Sequence, residues 1–151
     1  MAIFIEGLPV PKGNHKAFIV PSKLTGKPTI RITDKAGKDL RNWQKRIAIA
    51  VQREWQELFE QPYAIRLHAT FYVPRPKCHF TKTGKPSSKW RRYPTTKPDR
   101  DKLLRAVQDA LIGILYADDS QVYDGNTTKL YADNGPVGVE ISITICYNGE
   151  H

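Results

Sequence analysis

The chain has two cysteines in 151 residues, Cys78 and Cys146, and no Cys-x-x-Cys pair. That excludes a disulfide framework and a thiolate metal knuckle, and it fits free thiols in a reducing compartment. No apolar run approaches the roughly 20 residues a membrane helix needs. Residues Met1 to Glu6 lack the basic region and long apolar run of a signal peptide. No internal repeat is visible. Acid is scarce: 15 Asp and Glu stand against 24 Lys and Arg, a net charge of +9. A balance so basic favours a polyanionic partner, most often nucleic acid. The expected protein is soluble, intracellular and cytoplasmic.

What is present fits one folded domain over 1–151. The hydrophobic fraction is 40%, and the length allows one real core. Residues 2–6 read as a strand closed by Gly7, Pro9 and Pro11. Segments 17–20 and 29–33 read as a hairpin around a turn-rich connection at 21–28. Thr33 or Asp34 is a plausible cap for a helix running to about Phe59. Its apolar stripe is Leu40, Trp43, Ile47, Ala50, Val51, Trp55 and Leu58. Ile65, Leu67, Ala69, Phe71 and Val73 alternate with polar residues, as in a half-buried strand. Val137 to Ile145 alternates in the same way. A second helix fits Asp101 to about Gly113, with Leu104, Val107, Leu111 and Ile114 on its apolar face and Leu103, Ala106 and Ala110 beside them. Gly113 suits its stop, and Asp124-Gly125 reads as a turn or a bulge.

Two stretches carry charge of one sign. Residues 74–98 hold Arg75, Lys77, Lys82, Lys85, Lys89, Arg91, Arg92 and Lys97, and no acid. Prolines, Gly84 and two serines deny the stretch a regular element. Phe80, Trp90 and Tyr93 interleave rings with the cations. Cations contact phosphates, and aromatic faces stack on unpaired bases; the plainer reading is a mobile charged loop. The next stretch is the reverse. Six of the fifteen acidic residues fall between positions 99 and 124: Asp99, Asp101, Asp109, Asp118, Asp119 and Asp124.

Asp99 and Asp101 lie two apart where a loop enters a helix, so in extended geometry they point the same way. Paired carboxylates repel unless protons or cations relieve them. Mg²⁺ or Mn²⁺ suits such oxygen donors. Asp101 alternatively caps the helix. Asp118 and Asp119 point oppositely on an extended segment, so one of them can join the pair. Three carboxylates beside a cationic groove suit metal-assisted phosphodiester hydrolysis. Arg105, four residues after Asp101 on one helix face, neutralises a phosphate or pairs with Asp101.

The string Lys97-Pro-Asp-Arg-Asp-Lys-Leu-Leu-Arg-Ala-Val-Gln-Asp-Ala-Leu111, followed by Tyr116-Ala-Asp-Asp-Ser-Gln-Val122, resembles the RusA family of Holliday junction resolvases, common in phages and prophages. The family pattern is Lys-Pro-Asp-x-Asp-Asn-Leu-x-Lys, then Asp-Asp-x-Gln-Val. The basic segment 74–85 and Gly7-Leu-Pro-Val-Pro-Lys-Gly13 are also similar. The resemblance implies a homodimeric, Mg²⁺-dependent endonuclease that cuts paired strands at four-way DNA junctions. Its metal-binding aspartates fall on Asp99, Asp101 and Asp119, and its catalytic lysine falls on Arg105. Two residues depart from the pattern: the family's Asn is Lys102 and its Lys is Arg105. Arginine keeps the charge but does not readily share a proton at neutral pH, so proton transfer would fall to Lys102 or Lys129.

The expectation is an α+β domain: a single mixed, mostly antiparallel sheet packed on two helices, assembled as a homodimer. The candidate catalytic set is Asp99, Asp101, Asp119 and Arg105. The candidate DNA-binding set is Lys77, Lys82, Lys85, Lys89, Arg91, Arg92, Lys97, Lys102 and Lys129. The partner is branched DNA. Rival readings are a nuclease for other branched DNA, a junction-binding protein with weak or no turnover, and an interaction domain whose acidic cluster pairs with its basic loop.

Overall fold

Alternating apolar residues build the centre of the fold. The computed structural model describes residues 1–13, 15–21, 23–34, 37–87 and 90–149. Strand β4 (Tyr63–Val73) buries every second side chain: Ile65, Leu67, Ala69, Phe71 and Val73. Its neighbour β7 (Gly138–Tyr147) runs antiparallel to it from Tyr63↔Tyr147 to Tyr72↔Gly138. That register puts Val139, Ile141 and Ile143 on the same buried face. Strand β1 (Ala2–Glu6) adds antiparallel to the far edge of β7 and buries Ile5.

On its other side β4 takes two parallel partners. These are β5 (Val122–Asp124) and β6 (Thr127–Tyr131). The sheet is therefore mixed, as expected, and has five strands. Gly125 breaks the segment between β5 and β6. A Cβ there would lie 1.8 Å from the Leu67 carbonyl oxygen, so no side chain fits. The choice between turn and bulge resolves into an irregularity that divides one extended segment into two strands, with a register shift at Ile65/Arg66.

The hairpin forms as expected, from β2 (His15–Pro21) and β3 (Pro28–Asp34), but among the described residues these strands pair only with each other. One sheet thus becomes a five-stranded sheet plus a separate two-stranded ribbon. Thr33 and Asp34, read as caps, belong to β3, and the described part of the next helix begins at Gly37.

Helix α1 (Gly37–Glu54) buries Leu40, Trp43, Ile47 and Val51. Burying such a side chain stabilises by ~1.5–3 kcal/mol, so packing holds the helix more than propensity does. It ends five residues before Phe59. There the Phe59 amide bonds the Leu115 carbonyl at 2.8 Å, and Phe59 bridges to Tyr116. That partner lies far along the chain, where local periodicity cannot reveal it. Leu58 is left exposed.

Helix α2 (Arg100–Leu111) buries Leu103, Ala106, Val107 and Leu111. Its buried stripe is thus centred on Leu103 and Ala106, with Leu104 only packed at the rim. Gly113, at φ +76°, turns the chain out of the helix as its position implied. The two helices cover the buried face of the sheet, and Gln44 Nε2 ties them by donating to the Ala106 carbonyl at 3.1 Å. Among the described residues, no helix is long and apolar enough to cross a membrane.

Candidate active site

The site lies where β6, the start of α2 and the end of the basic segment meet. Asp99 occupies the N-cap position with extended backbone (φ −71°, ψ 137°), yet its side chain makes no capping hydrogen bond. Its carboxylate faces Lys102 Nζ at 3.4 Å instead. Both side chains are partly exposed, so the pair contributes little, about 0–1 kcal/mol. Asp101 sits in the first turn, exposed. It is not the cap. Arg105 is exposed one turn further on, and among the described residues it makes no ion pair with Asp101.

Asp118 and Asp119 divide their roles. Asp118 accepts the Ser120 amide at 2.8 Å and caps a short 3-10 turn at Asp119–Gln121. Hydrogen bonds from Ser120 hold the Asp118 carboxyl below its usual range. Gln121 completes the cap. Its Oε1 accepts the amides of Ala117 (2.9 Å) and Asp118 (3.1 Å), and its Nε2 donates to the carbonyls of Phe59 and Tyr63. Asp119 stays exposed. Its charge reaches Tyr116, a buried phenol whose hydroxyl donates to the Gln108 carbonyl at 2.9 Å. Burial pushes that phenol up, and the charges of Asp119 and Asp109 add to the shift.

Among the described residues, no three Asp, Glu, His or Cys side chains come together to hold a metal ion. Asp99 turns to Lys102, and Asp119 reaches Tyr116, whose hydroxyl is tied to the second half of α2. The donor chemistry, carboxylate oxygen, suits a hard divalent cation. The arrangement is not a closed ligand set.

A cleft of about 730 Å³ opens beside Asp99. Tyr93, Lys97, Asp99, Arg100, Thr128 and Lys129 are among its walls. Lys129 Nζ donates to the carbonyls of Thr96 and Pro98 at 2.7 Å each. Arg100 Nη1 donates to the Thr127 carbonyl at 3.2 Å. These two cations fix the chain to β6 just before and just after Asp99. Lys129, read from sequence as a DNA contact or proton carrier, is a strap in this arrangement. Lys102 is likewise placed against Asp99.

The basic segment is more built than its composition suggested. It contains a 3-10 turn at Lys77–His79 and a bridge between Phe80 and Pro86. Lys77, Lys82, Lys85, Arg91, Arg92 and Lys97 are exposed, while Lys89 lies outside the described residues. Arg75, read as one more cation, is buried and pairs with both oxygens of Asp133 at 2.8 Å. This bond holds the Asp133 carboxyl below its ordinary range. Sequence reasoning missed Arg75, Gln121 and the ion pair between Lys12 and Asp109. Only the Asp-Asp-x-Gln-Val motif carried a signal for any of them.

Comparison with known proteins gives two findings. The chain is 31% identical over 93 residues to the uncharacterized protein YqaN of Bacillus subtilis (strain 168), across 62% of this chain and 66% of that protein. Residues 6–144 match the family described as Endodeoxyribonuclease RusA, a span that runs from the last residue of β1 through most of β7 and takes in every candidate residue above. The chain belongs to the RusA endodeoxyribonuclease family.

Proposed function

We propose that this protein is a structure-specific endodeoxyribonuclease that resolves four-way DNA junctions in the cytoplasm of a bacterial cell. The observation that carries the reading is the cleft at β6. It sets Asp99 among Lys97, Arg100 and Lys129, inside a chain whose family match spans both charged stretches. The exposed cations of residues 77–97 supply the phosphate contacts that position a duplex arm without reading its sequence. Asp101 and Asp119 are the carboxylates left uncommitted by capping or by a lysine. Together with Asp99 they are the residues that would hold Mg²⁺, or Mn²⁺, as a set that draws together only when the ion binds. Such an ion supplies activation of water and stabilisation of the attacking and leaving oxygens. Arg105 offers a positive charge to the phosphate. A homodimer suits the near-twofold symmetry of a junction, with one site on each of two opposed strands.

A second reading, junction binding without turnover, is favoured by one observation: Lys102 holds the Asp99 carboxylate. One experiment separates the two. A synthetic four-way junction and a linear duplex of the same sequence are incubated with the protein, with and without Mg²⁺ or Mn²⁺. Symmetric nicks in the junction alone, and only with the ion, support the nuclease. Tight junction binding with no nicks in either ion supports the binding protein. Equal cutting of both substrates removes the junction preference.

A further inference from the structure

The three tryptophans are placed differently. Trp43 is 4% exposed and Trp55 packs against the core, whereas Trp90 is 44% exposed. Showing so large a ring to water is unfavourable, and a loose loop would let it collapse. Trp90 is instead mounted on a stack. One face of its ring lies on His79, with centroids 4.4 Å apart and planes 16° from parallel. His79 is itself 8% exposed and meets the Tyr131 ring of β6 edge-on at 5.9 Å.

The mount is fixed from both sides. The Arg75 guanidinium lies 4.0 Å over the Tyr131 ring, with Nη1 3.4 Å from His79 Nδ1. The same group holds Asp133 and donates to the carbonyl of Arg91, the residue after Trp90, at 2.9 Å. The Trp90 amide donates to the Ser87 carbonyl, and the Ser87 amide to the His79 carbonyl. The result is a ring with a backed inner face and an open outer face. Its exposed neighbours Arg91 and Arg92 follow it in the chain, within a stretch that has no acid.

We propose that the outer face of Trp90 is a stacking platform for an unpaired base at the branch point of junction DNA. This rests on the reading of the protein as a branched-DNA enzyme. The charges select the ligand: an apolar protein surface covering Trp90 would have to cover Arg91 and Arg92 too, whereas phosphates flanking a base pair with them. Stacking accepts any base, because each has a π face. Bases within a duplex already stack on both sides, so their faces are closed to Trp90. A branch point interrupts the stack and leaves the terminal base of an arm with one free face, which fraying of its pair presents to Trp90 as an unpaired base. The platform thereby distinguishes a branch from a linear duplex without reading sequence.

The test uses the full chain with divalent ions chelated, so that nothing is cut. A junction carrying 5-iododeoxyuridine at the branch point is bound and irradiated, and the cross-linked residue is mapped by mass spectrometry. The wild type should cross-link through Trp90. Trp90→Leu should lose that cross-link and bind the junction about tenfold more weakly, with linear-duplex affinity unchanged. Trp90→Phe, which keeps a π face, should retain most of the affinity. Unchanged junction affinity in Trp90→Leu, or equal losses on junction and duplex in both variants, would overturn the proposal. A wild type that shows no preference for junction over duplex removes the functional reading, and the platform with it.

Discussion

Residues 74–98 hold eight Lys or Arg and no acid; residues 99–124 hold six Asp. The two stretches adjoin in the chain, and they settle their charge differently. The basic one draws its counter-charges from elsewhere. Arg75 reaches Asp133, 58 residues away, and the remaining described cations point to solvent. The acidic one is sorted residue by residue. Asp109 takes Lys12, Asp124 takes Arg66, Asp118 takes the Ser120 amide and Asp99 takes Lys102. Asp101 and Asp119 are left. Composition alone reveals two blocks of opposite sign. Tertiary contacts reveal which charges within each block remain available for a ligand.

The strongest way to break that contrast is to remove an available charge. Asp101→Asn should cut junction cleavage by roughly 100-fold or more while leaving binding unchanged or tighter, because it deletes no phosphate contact. Cleavage at the wild-type rate, in a gel assay with Mg²⁺, would take Asp101 out of the site. Next is the point where the two stretches are joined. Lys129→Met deletes the strap on Thr96 and Pro98 that holds the approach to Asp99. A misplaced catalytic group costs on the order of 10- to 100-fold in rate. The expected loss is in kcat rather than in junction affinity, with partial rescue by Lys129→Arg. A loss of affinity with kcat intact would make Lys129 a DNA contact after all.

The third test addresses the scaffold of the basic stretch. Arg75→Met keeps the aliphatic stem but leaves Asp133 and the Arg91 carbonyl without their donor. Stability should fall by about 2 kcal/mol, read as a lower urea midpoint; no change would mean the segment is not held through Arg75. The smallest effect belongs to the exposed cations. Arg91→Ala with Arg92→Ala should reduce the slope of log affinity against log salt by about 1–2. An unaltered slope would remove this pair from the DNA contact surface.

Much of the architecture was legible. The alternation in Ile65–Val73 and Val137–Ile145 gave the two central strands, and the Gly113 stop marked the end of α2. The limit of α1 was not, because Phe59 leaves the helix to meet Leu115 and Tyr116. The separation of the β2–β3 ribbon from the main sheet was not legible either, since pairing partners leave no mark in local pattern. At the site, the motif located the residues without arranging them. Asp99 and Asp101 were read as a pair on extended chain, but they stand at the N-cap and first turn of a helix. Residues 74–98 were read as lacking structure because prolines and glycine break regular elements. Among its described residues, side-chain stacking on β6 and a short turn at Lys77–His79 hold the segment in place of a longer element.

The amino-acid sequence by itself determined the family, the sign of each charged stretch and the order of the main elements, because motif, composition and period are local properties. The tertiary structure alone decided which carboxylates stay uncommitted, that Lys129 straps the approach to Asp99, and that Trp90 faces outward on a fixed stack. Those outcomes depend on partners such as Arg75 and Asp133, brought together only when distant parts of the chain pack on one sheet.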